Sequence, residues 1–212
     1  MTKLTELRKE YTQAGLNEAE LSANPFEQFN HWFEEAKAAG ILEPNAMTLA
    51  TVREDGTPAA RTVLLKEADE RGFVFFTNYQ SAKAADLAAQ PRATLVFPWL
   101  GLERQVIISG EVTKVSREET EAYFKIRPSG SQLGAWASQQ STTVTDRATL
   151  EAKLEAVTER FAKEPISAPP HWGGYRVAPT QIEFWQGRPN RLHDRLVFRR
   201  ESDAWVVERL AP

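Results

Sequence analysis

The chain has 212 residues, 42% of them apolar and 26% charged in mixed sign, with a net charge of −3, which describes a folded globular chain rather than a disordered one. The absence of a long basic block argues against a nucleic-acid surface as its main purpose. There is no cysteine, so a disulfide framework, a thiolate nucleophile and any Cys-based metal site are excluded. No apolar run approaches the roughly 18 residues of a membrane span, and the polar start MTKLTELRKEYTQAG does not resemble a signal peptide. A cytoplasmic location with no membrane partner is expected.

Residues 4–13 have the pattern of a short polar helix. Asn24-Pro25 starts a second one, with Asn capping, Pro at the first helical position and Gly40 at the end. From Met47 the pattern turns to strands: MTLATVRE and AARTVLLK flank EDGTP, whose Asp-Gly is a hairpin signal. ADERG leads into the strand FVFFTN, and SAKAADLAAQ is a short helix closed by Pro91. ATLVFPW and RQVIISGEVTKV read as strands, and Ser116 with Glu119 forms a capping box for a helix to about Lys125. A longer helix covers roughly 146–162, and strands return around 174–185, 191–199 and 204–210. Strands joined by hairpins make a mainly antiparallel α+β domain with a barrel-like sheet.

Neither G-x-G-x-x-G nor a Walker loop is present, so a phosphorylated ligand must be held by side chains. His31, His171 and His193 are too scattered in sequence to suggest a metal centre. Four stretches are candidates. In RTVLLK (61–66), strand alternation sends Arg61 and Lys66 to opposite faces unless a bulge intervenes; the plainer reading is two solvated strand ends. In FTNYQSAK (76–83), Thr77, Ser81 and Lys83 are placed to hold a phosphate at a helix start, although ordinary capping by Ser81 accounts for the same letters. In EAYFKIRPSGS (121–131), Tyr123 and Arg127 share a helix face and Ser131 follows the helix end, which makes a phosphate clamp or a surface pair. In FWQGRPNRLHDR (184–195), a strand would put Arg191, His193 and Arg195 on one face, calling for a nearby anion or for solvent and Asp194. Trp185 is either core or a wall for a flat ring.

Taken together, these stretches resemble the pyridoxine/pyridoxamine 5′-phosphate oxidase family. The similarity is colinear over essentially the whole chain: RKEY (8–11), RTVLLK, FTN-x-x-S-x-K, FPW (97–99), ERQV (103–106), the Tyr123/Arg127/Ser131 group, SQQST (138–142), HWGGYRV, QIEFWQG, RLHDR and ERLAP. It implies a single FMN-binding split-barrel domain over 1–212, an α+β fold with a mainly antiparallel split β-barrel, flanking helices and an N-terminal helical segment over 1–23. It further implies a homodimer with FMN at the subunit interface and O2 as acceptor. Pyridoxine 5′-phosphate or pyridoxamine 5′-phosphate would be oxidised to pyridoxal 5′-phosphate by hydride transfer from C4′ to FMN, with release of H2O2.

By position, the FMN contacts implied are Arg61, Thr62, Val63, Leu64, Leu65, Lys66, Phe76, Thr77, Lys83, Gln105, Gln140, Ser141, Trp185 and Arg195. Lys66, Tyr123, Arg127 and Ser131 would hold the substrate phosphate, and Arg191 and His193 would lie over the substrate ring as the catalytic pair. The sequence departs from the family pattern at Phe76, where tyrosine is common, and at Ala82, where an arginine is common and a cation for the FMN phosphate is therefore lost. Two rivals remain: a non-catalytic flavin- or phosphate-ligand-binding module on the same barrel, and a flavin reductase drawing on a nicotinamide donor.

Overall fold

The computed structural model describes residues 10–12 and 15–212. The helix expected over 4–13, and Arg8 with it, lies outside the described residues except for 10–12, which carry no regular structure. A 3-10 turn at Glu18–Glu20 precedes helix α1 (Pro25–Ala38). Asn24 caps α1 by accepting the Phe26 amide at 2.8 Å, and Pro25 takes the first helical position, where a missing N–H costs nothing.

Strands β1 (Ala46–Val52) and β2 (Pro58–Leu64) follow, joined by a turn in which Gly56 adopts φ +83°, a conformation glycine reaches without steric cost. Then come β3 (Glu67–Asp69), β4 (Gly72–Asn78), α2 (Ala82–Ala89), β5 (Arg92–Trp99), β6 (Arg104–Lys114) and α3 (Arg117–Ile126). The expected capping box starts α3: Ser116 Oγ accepts the Glu119 amide and the Glu119 carboxylate accepts the Ser116 amide, both at 3.0 Å. Helix α4 (Ser129–Ala137), α5 (Arg147–Arg160), β7 (Trp172–Gln186), β8 (Asp194–Glu201) and β9 (Ala204–Arg209) complete the chain.

Among the described residues, nine strands form one sheet in the order β2-β1-β5-β6-β7-β4-β3, with β8 pairing β7 and β9 pairing β8. The β3–β4, β4–β7, β7–β8 and β8–β9 pairings are antiparallel, in line with the expected α+β class. The chain divides into two compact units. The first comprises residues 1–49, 94–110 and 179–212. Its core is aromatic: Phe29 meets Phe97 at 5.1 Å, Trp32 meets Phe184 at 5.2 Å and Phe184 meets Phe198 at 5.7 Å, in edge-on geometries that suit ring quadrupoles. The second comprises residues 50–93 and 111–178. Here β4 is buried almost throughout, as a strand covered on both faces must be, and Phe124 and Trp172 form a second cluster.

Three local expectations are corrected. Arg191 and His193 are not in a strand: Pro189–Arg191 is a 3-10 turn, and β8 begins at Asp194. Asn190 and Arg191 have φ +56° and +64°, so the alternation argument fails for 191–193. Ser131 does not simply trail a helix but lies in the first turn of α4. Finally, Ser81 precedes α2 but makes no capping hydrogen bond from its side chain.

Candidate active site

A cavity of about 550 Å³ opens in the second unit, within the size range of small-molecule sites. Arg61, Thr62, Val63, Leu64, Lys66, Phe76, Thr77, Lys83, Tyr123, Arg127, Ser131 and Gln140, all expected from the sequence, line it. Arg61 and Lys66 therefore share one cavity. The strand ends at Leu64, so its two-residue period does not reach Lys66, whose amide instead donates to Val74 O at 2.8 Å. Leu65 is buried and Ser141, at φ +71°, is exposed; neither lines the cavity.

One cationic group is built around Arg61 and Lys83. Arg61 donates to Thr51 Oγ1 at 2.6 Å and to Asp86 Oδ2 at 3.1 Å, and Thr51 donates to the same carboxylate oxygen at 2.6 Å. Asp86 and Thr51 are buried and were not legible as partners, being 25 and 10 residues from Arg61 in the chain. Lys83 Nζ donates to Gln140 Oε1 at 2.7 Å, Thr77 Oγ1 at 3.2 Å and Ser81 Oγ at 3.4 Å. The serine thus serves the lysine rather than the helix. Burial, and then the nearby Arg61 charge, pull the Lys83 pKa below its ordinary value. An anion placed between two such cations would relieve that repulsion.

A second group surrounds Arg127. Phe76 stacks on Tyr123 at 4.1 Å and on Trp172 at 5.4 Å, and the Arg127 guanidinium lies 4.4 Å from the Trp172 ring centre. The second glycine of HWGGYRV, Gly174, makes room for this stack. A Cβ at Gly174 would come within 2.7 Å of Val115 Cγ2 and 2.9 Å of the Phe76 ring. Arg127 Nη1 is buried and finds no hydrogen-bond partner among the described residues. Burial depresses its pKa, and burial likewise raises that of Tyr123. A half-buried guanidinium whose Nη1 is buried and orphaned beside a cavity is costly unless an anion completes it. Trp172 was missed as a platform because a tryptophan at a strand start reads equally well as core.

The remaining expected residues belong to the first unit, outside the lining of this cavity. Trp185 and His193 meet at 4.6 Å, and Tyr11 sits edge-on to both, at 5.8 and 5.5 Å. His193 Nδ1 accepts the Arg188 amide at 3.1 Å, which leaves the neutral ring's proton on Nε2. Burial, and then the Arg191 charge, lower the His193 pKa and favour that neutral form. Arg195 is bidentate on Glu183, at 2.7 and 3.0 Å, and that bond holds its pKa above the ordinary arginine value. Gln105 lies half-buried in β6, and Arg191 is exposed.

The sequence profile of the family described as pyridoxamine 5′-phosphate oxidase matches residues 33–161, and that of the pyridoxine 5′-phosphate oxidase C-terminal dimerisation region matches residues 172–212. The chain belongs to the pyridoxamine 5′-phosphate oxidase family. Relatives named pyridoxine/pyridoxamine 5′-phosphate oxidase include those of Burkholderia lata, 57% identical with all of both chains covered, and Burkholderia multivorans, 58% identical with the same coverage. That of Cyanothece sp. is 56% identical over 99% of this chain and 98% of its own. Among solved structures, PhzG from Burkholderia lata 383, in complex with tetrahydrophenazine-1-carboxylic acid, superposes with a TM-score of 0.86 at 28% identity, covering 92% of this chain and 95% of its own. A pyridoxamine 5′-phosphate oxidase-related, FMN-binding protein from Nostoc punctiforme shares the fold, with a TM-score of 0.72 at 20% identity over 91% of this chain and all of its own. The expected split-barrel class is that of these family structures. No helix among the described residues is long and apolar enough to cross a membrane.

Proposed function

We propose that this chain is an FMN-dependent oxidase that converts pyridoxine 5′-phosphate and pyridoxamine 5′-phosphate to pyridoxal 5′-phosphate, with O2 as acceptor, and that it works as a homodimer in the cytoplasm. The observation that carries this reading is a cavity lined by two separately built cationic groups, one of which ends in Arg127 Nη1, unpartnered among the described residues. A phosphorylated cofactor and a phosphorylated substrate together account for both. Arg61, Lys83 and Thr77 fit the FMN phosphate, since they are cationic or hydroxyl donors held in place by Asp86, Ser81 and Gln140. Arg127, Tyr123, Ser131 and Lys66 fit the substrate phosphate.

The chemistry that FMN would supply when bound is acceptance of two electrons from the substrate's C4′ and their return to O2 as H2O2; from the amine substrate, water then releases ammonia and leaves the aldehyde. The protein's part is placement. Arg191 and His193 would align the pyridine substituents, and Trp185 and Gln105 would contact the flavin. Because the Arg188 amide occupies His193 Nδ1, His193 presents Nε2–H and acts as a donor that orients the substrate, not as a base.

A second reading draws on the structural likeness to PhzG: the ring oxidised would carry a carboxylate instead of a phosphate, and Arg127 would meet that carboxylate. The higher identity to the oxidase relatives, 57–58% over full length, favours the phosphorylated vitamers. The test is peroxide release by the purified protein. Pyridoxine 5′-phosphate should drive it without NADPH, whereas a requirement for NADPH, or turnover of reduced phenazine carboxylic acids alone, contradicts the proposal.

A further inference from the structure

Arg176 lies in β7 opposite Val74 of β4 and is only 8% exposed. It is not part of the cavity lining. Its guanidinium donates to Asp69 Oδ1 at 3.0 Å and to Glu119 Oε1 at 2.8 Å, with Glu67 Oε2 at 3.9 Å. Arg71 joins the same three carboxylates from the exposed side, reaching Asp69 at 2.7 Å, Glu119 at 3.1 Å and Glu67 at 3.3 Å. Glu119 works at both ends. One oxygen takes the two arginines, and the other closes the α3 capping box on the Ser116 amide. That amide first, and the arginine charges after it, keep the Glu119 carboxyl below its usual pKa and therefore ionised.

The cluster joins the two segments that carry the candidate phosphate clamp. Glu119 is one turn ahead of Tyr123 on α3, and Arg127 is the C-cap residue of that helix. Glu67 follows Lys66, whose amide is bonded to Val74, the strand neighbour of Arg176. The capping box already starts α3 without any arginine, so the ion pairs do not explain why the helix forms. What they add is its location. An exposed pair contributes little, but a buried guanidinium shared between carboxylates fixes geometry, because breaking it strands a buried charge.

We propose that Arg176 is a positioning residue for substrate phosphate recognition: through Glu119 it holds Tyr123 and Arg127 at the spacing from Lys66 that one phosphate requires. The proposal rests on the substrate assignment above.

The test uses FMN-loaded enzyme with Arg176→Gln and with Glu119→Gln. The second variant keeps a residue able to close a capping box but loses the charge. Pyridoxal 5′-phosphate affinity is read from the flavin spectrum, alongside KM and kcat for pyridoxine 5′-phosphate, FMN content and Tm. Each variant should weaken affinity and raise KM about tenfold, the equivalent of one charge-assisted contact, with kcat and FMN content near wild type. Arg176→Lys should recover part of the loss. In an Arg127→Ala background, Arg176→Gln should add less than about twofold, since residues acting through one another are not additive.

Equal losses in both backgrounds, or an unchanged KM in Glu119→Gln, would overturn the proposal and leave Arg176 a stability residue. If Arg176→Gln fails to fold, Glu119→Gln alone decides. Failure of wild-type enzyme to bind pyridoxal 5′-phosphate while retaining FMN would instead overturn the substrate assignment, and is seen before any variant is made.

Discussion

Arg127→Ala is expected to raise KM for pyridoxine 5′-phosphate by roughly ten- to a hundredfold, with kcat changed far less, because one charge-assisted contact is worth about 1.5–3 kcal/mol. Arg127 lies against the Trp172 face with Nη1 buried and unpartnered among the described residues. A phosphate that fills this position meets it equally in the ground and transition states, so its loss is uniform binding lost. Removing a cation with an unsatisfied buried N–H should not destabilise the free protein by much, and Tm is expected to change little. FMN content should stay near wild type, since the Arg61–Asp86 and Lys83–Gln140 contacts involve none of the same atoms. Steady-state kinetics with flavin quantitation checks this; loss of flavin in this variant would move Arg127 to the cofactor.

Arg191→Ala should behave differently. It should lower kcat/KM by on the order of ten- to a hundredfold with a substantial part of the loss in kcat, since the contact it removes is assigned close to the reacting carbon. Arg191 sits at φ +64° beside Asn190 at φ +56°, two consecutive non-glycine residues in a sparsely populated conformation, and strain of this kind collects at functional sites. The backbone provides a control. Arg191→Gly relieves the strain, so if the side chain is what matters, glycine should be as impaired as alanine. Recovery of activity in Arg191→Gly would assign the role to the turn, and normal turnover in both variants would leave Arg191 a solvated surface cation.

The sequence was most legible where local chemistry decides the outcome. Asn24-Pro25, the Asp55-Gly56 turn and the Ser116/Glu119 capping box each encode their structure within four residues, and each appears as expected. Helix α4 escaped because Gly130 and Gly134 weaken its helical signal, and because Pro128 and Ser129 read as a loop. The error at Arg191 and His193 had the opposite origin: a regular alternation was begun at Arg191, which is still in the left-handed turn that starts at Asn190, before β8 opens at Asp194. Most residues of the candidate cavity were found by resemblance, not by pattern, since strand period alone separated Arg61 from Lys66. Asp86, Trp172 and the carboxylates around Arg176 stayed hidden for a common reason. Their partners lie tens of residues away, and no local periodicity records which side chains the sheet will bring together.

The most direct measurement is the visible spectrum of the purified protein before and after pyridoxine 5′-phosphate is added without oxygen. The protein should be yellow, its heat-released chromophore should be FMN, and its flavin band should bleach on addition of substrate and return with H2O2 when air is admitted. A flavin band unchanged by pyridoxine 5′-phosphate and pyridoxamine 5′-phosphate but bleached by NADPH would contradict the proposed function, as would a protein that takes up no FMN.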